Sequence, residues 1–120
     1  METTREIPRQ QWGTFLDEFS RSHRDDPVRV EVSGQDLGEQ HLGEGLALMG
    51  VGLETKGSGK GEVALAFLLK APDGTMDHRI ASPQRIYLEE DPEGGPSCLD
   101  IEDAENQKTL VYVGAKATVH

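Results

Sequence analysis

Four large apolar residues near the N-terminus constrain the fold of this chain more than any other feature. They recur at the i, i+3, i+4, i+7 spacing of one helix face: Trp12, Phe15, Leu16 and Phe19. Pro8 suits the first turn of a helix, and Pro27 prevents its continuation, so we predict a helix over about residues 8–23. Two of the three phenylalanines and the only tryptophan lie on this stripe. The pattern therefore favours a helix that covers the core over an exposed helix that binds a groove.

The rest of the chain reads as short strands within about residues 28–114. Val28, Val30 and Val32 alternate with polar residues, which is typical of a half-buried strand. The segments LALMGVGLE (46–54) and EVALAFLLK (62–70) are almost continuously apolar, which predicts central strands covered on both faces. Alternation returns in four further segments: MDHRIA (76–81), QRIYLEE (84–90), CLDIED (98–103) and TLVYVG (109–114).

These segments predict about seven strands, joined by short turns rich in Pro, Gly, Asn and Asp into an antiparallel meander. The predicted fold class is α+β: an N-terminal amphipathic helix packed on a mainly antiparallel, curved sheet that forms a roll or partly open barrel. We expect one domain over residues 1–120. The glycine-rich segment 34–46 is expected to be a mobile loop or a bent, irregular strand.

Charge and composition exclude several classes of partner. The 12 basic and 22 acidic residues give a formal net charge of −10, which disfavours nucleic acids and anionic membrane surfaces. Cys98 is the only cysteine, so no intrachain disulfide can form, and we expect a buried structural thiol. The longest apolar run falls far short of the roughly 20 residues that span a bilayer, and the first ten residues lack a signal-peptide pattern. We therefore expect a cytoplasmic protein.

The segment KGSGKG (56–61) resembles a phosphate-binding loop but fails its tests. When Gly59 and Lys60 are aligned with the G-K of a P-loop, Glu54 falls where the first glycine belongs and Gly61 where the hydroxyl belongs. The following segment also reads as a strand rather than the required helix. We predict a hairpin tip that joins two buried strands.

No metal, cofactor or catalytic pattern emerges. Eight acidic residues between Glu89 and Glu105 do not match the spacing of a calcium loop, and the four histidines lack zinc-site spacing. His78 is predicted to point toward the core side with Met76 and Ile80, as a half-buried histidine with a backbone partner. Weak candidates for ligand binding are His78, Arg85 and Tyr87.

Three stretches resemble a family of small bacterial proteins of unknown function. The opening I-P-R-x-x-W-x-x-F-L-x-x-F is the most specific stretch, and it matches from Ile7 to Phe19. HRIASPQRIYLEE (78–90) and the later LDIED and TLVYV are also similar. The resemblance covers nearly the whole chain and supports the one-domain boundary. It implies no activity, catalytic residue or cofactor.

These observations favour a non-enzymatic binding or accessory module that recognises a protein or a small ligand through its sheet or loops. The alternative is a small-molecule-binding roll, or an enzyme, with a pocket between the helix and the curved sheet. Gly50 and Gly52 would leave space for that pocket, or would equally admit Trp12 or a phenylalanine. A weaker hypothesis is weak homo-oligomerisation through an uncovered strand edge.

Overall fold

The fold is described by a computed structural model for residues 3–34, 38–41, 45–55, 63–90 and 96–114. A 3-10 turn over Arg9–Gln11 leads into one α-helix, α1, at Trp12–Ser22. The described residues also form nine strands, numbered in chain order, of which the first precedes the helix: β1 Thr3–Glu6, β2 Pro27–Gly34, β3 Gly38–His41, β4 Leu46–Thr55, β5 Val63–Ala71, β6 Gly74–Ala81, β7 Pro83–Glu90, β8 Pro96–Asp103 and β9 Lys108–Val113. The α+β class, with a helix on an antiparallel sheet, is confirmed.

The nine strands form one sheet in the order β1-β7-β8-β9-β2-β4-β5-β6, with β3 paired to β2. All seven predicted strands are present, but the predicted number is wrong because β1 and β3 join them. Both additional strands are short and polar, with the sequences TTRE and GEQH. They carry no apolar alternation, and their backbones pair with β7 and β2 respectively. Hydropathy therefore could not reveal them.

The connection between β6 and β7 requires the sheet to curl. These strands lie six interstrand spacings apart in the sheet order, which would be roughly 29 Å in a flat sheet. A single residue, Ser82, joins them, and its φ of 50° turns the chain sharply. The predicted simple meander is wrong here, and also where β9 returns to pair with β2. The sheet is not closed, because β1 and β6 each have one edge without a strand partner among the described residues.

The core lies between the concave face of the sheet and α1. Trp12, Leu16 and Phe19 are buried on the inward face of the helix. They join one apolar cluster with residues from seven strands, including Val30, Leu48, Phe67, Ile80, Ile86, Leu99 and Val111. The Trp12 indole N–H donates to the carbonyl oxygen of Ile7 at 2.9 Å, which ties the start of the helix to the preceding segment. These contacts agree with the helix as a cover of the core.

The two most apolar strands are covered fully on one face only. In β5, Leu65, Phe67 and Leu69 are buried, whereas Leu68 on the opposite face is 40% exposed. The prediction that both faces are covered is therefore wrong. An irregularity between Leu48 and Gly50 shifts the alternation of β4.

Gly50 and Gly52 lie on the outer face of β4, opposite Leu68 and Ala66. A methyl group at either glycine would meet no atom within 4 Å. These glycines therefore do not make room for the aromatic residues of the helix. KGSGKG lies outside the described residues, although the pairing of Thr55 with Val63 shows that it connects antiparallel neighbours.

The helix and the turn after it replace a strand partner along one edge of β4. The Ser20 hydroxyl accepts from the Val51 backbone N–H at 2.8 Å, and its single proton is shared between the carbonyl oxygens of Val51 at 2.8 Å and Leu16 at 2.9 Å. The backbone N–H of Asp25 donates to the Leu48 carbonyl at 2.7 Å, and the Leu48 N–H donates to the Asp26 carbonyl at 3.0 Å. The helix is therefore joined to the sheet by hydrogen bonds as well as by apolar packing.

Within the described part of the chain, no helix is both long and apolar enough to span a bilayer.

Candidate functional site

A cavity of about 280 Å³ lies between the end of β6 and the turn that joins β8 to β9. One wall consists of five consecutive residues, 78–82, and the opposite wall includes Asp103 and Gln107. Val32 and Thr109, which face each other across β2 and β9, complete the lining. Thr109 is the buried polar residue of the described core, at 3% exposure.

The consecutive lining residues show that the cavity runs along the backbone edge of β6. Successive strand residues point to opposite faces of a sheet, so a cavity on one face would meet only every second residue. β6 pairs with β5 on one side, and no described strand pairs with its other side. Alternate N–H and C=O groups of an edge strand point outward from the sheet, so we expect those of β6 to face the cavity.

The His78 imidazole lies in this cavity wall. Its side chain is on the inner face of β6 with Met76 and Ile80, as the alternation predicted. The predicted backbone partner is absent at one ring nitrogen: Nε2 is buried and has no hydrogen-bond partner among the described residues. Burial lowers the pKa of His78 below its ordinary value of 6.5, so the ring is neutral at pH 7. A neutral imidazole nitrogen without a partner can bind a donor or an acceptor, according to its tautomer.

Hydrogen bonds hold the opposite wall of the cavity in place. The Asp103 carboxylate accepts from the backbone N–H groups of Glu105 at 2.8 Å and Gln107 at 2.9 Å. The backbone N–H of Ala104 donates to the Ser82 carbonyl at 3.1 Å, which joins the β8–β9 turn to the β6–β7 connection. The cavity therefore has a preformed shape, and the carboxylate in its wall is already bonded within the turn.

Of the three predicted ligand-binding residues, the cavity includes only His78. Arg85 is exposed on β7, and Tyr87 lies in the same strand with Glu6 and Asp100 as its lateral neighbours. The structure does not bring either residue to His78. Thr109 also lines the cavity and was not predicted. The alternation along β9 places it on the same inward face as Val111 and Val113, and a hydroxyl at an inward position was the signal that could have identified it.

The predicted location of a pocket between the helix and the sheet is wrong. Trp12, Leu16 and Phe19 are at most 5% exposed and fill the space there. The cavity instead lies between β6 and the turn that joins β8 to β9. Its location depends on the sheet order, which periodicity alone does not provide.

The acidic residues near the C-terminal half of the sheet do not form a metal site among the residues described. No group of three or more His, Cys, Asp or Glu side chains there has a suitable arrangement. Asp100 lies 3.4 Å from the Lys108 ammonium, yet its pKa is raised, chiefly because of burial. The charge of Asp100 also raises the pKa of Lys108. Cys98 is buried, as predicted.

The burial of His78 leads to a pH dependence of stability. Because its pKa is lowered in the folded state, the unfolded chain binds a proton first as the pH falls. We expect the free energy of unfolding to fall as the pH drops below about 6.5, with no contribution from this group above about pH 7.5. The charged residues that line the cavity together with His78 are Arg79, Asp103 and Glu105.

Urea denaturation between pH 5.5 and 7.5 measures this effect. His78→Gln should lose less stability over that range than the parent protein. An equal loss in both proteins would contradict the assignment of the effect to His78.

The chain belongs to a family of unknown function (DUF5335), whose profile matches residues 3–118. This match confirms the family resemblance over nearly the whole chain. An uncharacterized protein from Aquifex aeolicus (strain VF5) is 26% identical over 110 residues, which cover 92% of this chain and 91% of that protein. No solved structure shows significant similarity.

Proposed function

We propose that the protein is a non-enzymatic binding module that recognises an extended peptide segment of a partner protein at the outer edge of β6, with which no described strand pairs. The observation that carries this proposal is the cavity lined by residues 78–81 of that strand and by Ser82, which follows it. A ligand in this position lies beside a row of backbone donors and acceptors. An extended peptide presents the matching row, and adding a strand to a sheet edge is a recurrent mode of peptide recognition.

The dimensions and the lining suit a short strand. Five residues of an extended chain span roughly 13 Å between their first and last Cα atoms, which corresponds to the length of the lined edge. Val32 and Ile80 provide apolar contacts for inward side chains of the added strand, and Thr109 provides a hydroxyl. Nε2 of His78, which has no hydrogen-bond partner in the described part of the chain, adds one polar contact on the same face.

A small-molecule site and an enzyme site are less well supported. The lining includes consecutive residues of one strand, and their backbone groups in a row suit an extended chain better than a compact small molecule. Catalysis by His78 as a general base would need a positioned partner, and the Asp103 carboxylate already accepts two backbone N–H groups. The geometry supports binding through the backbone better than chemistry at a side chain.

A titration with a blocked peptide tests the proposal. The probe is acetyl-Lys-Val-Thr-Val-Thr-Val-Lys-amide, and its control is the same peptide N-methylated at alternate residues, which has equal charge but lacks the strand-pairing donors. We expect the probe, and not the control, to shift the amide NMR signals of residues 78–82 and 103–107. His78→Leu should weaken binding, whereas Met76→Leu, on the same face outside the cavity lining, should not.

The result that would overturn the proposal is an absence of shifts along β6 at millimolar peptide. Binding of small polar molecules at His78, with no response to the peptide, would assign the cavity to the small-molecule alternative instead.

A further inference from the structure

We infer that the strand that fits the edge of β6 is β6 of a second copy of this chain, in an antiparallel pair around a two-fold axis at His78. This inference rests on the proposed function, because it names the partner of the same edge. Its basis is the order of charges along β6, which reads Met76, Asp77, His78, Arg79 and Ile80.

A two-fold axis at His78 makes the outer face of the paired strands complementary in charge. In this register, Asp77 lies opposite Arg79 of the second copy, and Arg79 lies opposite its Asp77. Both residues are exposed in the single chain, and the Arg79 side chain is 61% exposed. Opposite charges directly across an antiparallel pair stabilise it, and like charges destabilise it.

Arg79 already contacts Glu54 on its own chain, at 3.1 Å from Nε to Oε2. That contact lies at the surface and uses part of a guanidinium that carries five N–H donors. Because Glu54 lies on β4, on the far side of β5 from the edge of β6, pairing exchanges the Arg79–Glu54 contact for one between Arg79 and Asp77 of the second copy. The Glu54 side chain is 48% exposed, so the contact given up is a weak surface ion pair.

The same register matches the inner face and the length of the strand. Met76 lies opposite Ile80 of the second copy, which pairs two apolar residues, and the two neutral His78 rings face each other. Thr75 lies opposite Ala81, so residues 75–81 overlap without an overhang. A pair closed by a two-fold axis uses the outer β6 edge of both copies, so a third copy cannot add through β6.

Neighbouring registers fail on charge. Residues directly opposite one another must point to the same face, so the axis passes through a residue rather than between two. An axis at Asp77 would place Asp77 against its own copy, and an axis at Arg79 would do the same with two guanidinium groups. The charge order therefore selects the register centred on His78.

Charge reversal tests the inference by sedimentation equilibrium of the full chain over a range of concentrations. Arg79→Asp and Asp77→Arg each convert two attractive pairs into two repulsive ones, so each should raise the dimer dissociation constant at least about tenfold. The double variant carrying both substitutions should recover dimerisation. A mixture of the two single variants should form a heterodimer, because every opposite pair is then attractive.

Lys70→Asp is the matched control for net charge. It makes the same change in charge as Arg79→Asp on the neighbouring strand β5, opposite Thr75, and should leave the dissociation constant unchanged. Circular dichroism spectra should confirm that all variants are folded.

Two results would overturn the inference. One is a monomeric parent protein at several hundred micromolar. The other is a dimer that responds equally to Lys70→Asp and Arg79→Asp. Peptide binding to a monomeric protein would support the proposed function and assign the edge to a different partner protein. Failure of both the peptide titration and the dimerisation experiment would contradict both the proposed function and this inference.

Discussion

Replacement of Trp12 by alanine is expected to lower the free energy of unfolding by about 3–5 kcal/mol. Trp12 is 2% exposed and packs in the cluster that joins the helix to the sheet. Truncation leaves a large cavity and removes the hydrogen bond from the indole to the Ile7 carbonyl. A domain of this size has a total stability of about 5–15 kcal/mol, so this loss takes a large share of it.

Urea denaturation followed by far-ultraviolet circular dichroism measures the change, since the variant lacks the only tryptophan. Phe15→Ala is the control on the same helix, because Phe15 is only partly buried against the core. A Trp12→Ala loss no larger than that of Phe15→Ala would contradict the role of the helix as the cover of the core. It would favour the groove-binding alternative.

Replacement of Ser20 by alanine is expected to lower the free energy of unfolding by about 1–3 kcal/mol. The change removes the group that pairs with both the backbone nitrogen and the carbonyl oxygen of Val51. Val51 is 7% exposed, so water does not readily replace the lost hydroxyl. Amide hydrogen exchange at Val51 should accelerate together with the loss of stability.

Ser22→Ala is the matched control for Ser20→Ala. Ser22 is exposed at the end of α1, so its replacement shares the gain in helix propensity but removes no contact with β4. We expect a change within about 0.5 kcal/mol. Equal effects of the two substitutions would show that the hydroxyl of Ser20 does not support the edge of β4.

The sequence predicted those elements whose burial follows a simple period. Val28, Val30 and Val32 are all buried, as their alternation indicated, and the helix stripe identified Trp12 and Phe19 as core residues. β1 could not be found in this way, because all four of its residues are exposed and only its backbone pairs with β7. Strand order was also out of reach, since it depends on which backbone edges meet in three dimensions.

The candidate site was predictable in part. Alternation placed His78 on the inner face of β6, but it did not reveal that Ser82 would bring the end of β6 beside the β8–β9 turn. Arg85 and Tyr87 were weak candidates beside His78 for a ligand site, but they lie on β7, beyond the bend at Ser82, and do not line the cavity. The charge order around His78 was visible in the sequence from the start. It indicates a pairing register only because β6 is an edge strand among the described strands, which the structure shows.

A disulfide across the two-fold axis tests the pairing of β6 most directly. In an antiparallel pair, directly opposite Cα atoms lie about 4.5–5.5 Å apart, which is within the range that a disulfide spans. His78→Cys should therefore give a covalent dimer under mild oxidation, while the native Cys98 is 1% exposed. In the Thr75→Cys variant, on the same strand, the two cysteines would lie roughly 20 Å apart. This variant should therefore remain monomeric in electrophoresis without a reducing agent. Absence of the His78→Cys dimer, or its formation no faster than that of Thr75→Cys, would contradict the two-fold pairing of β6.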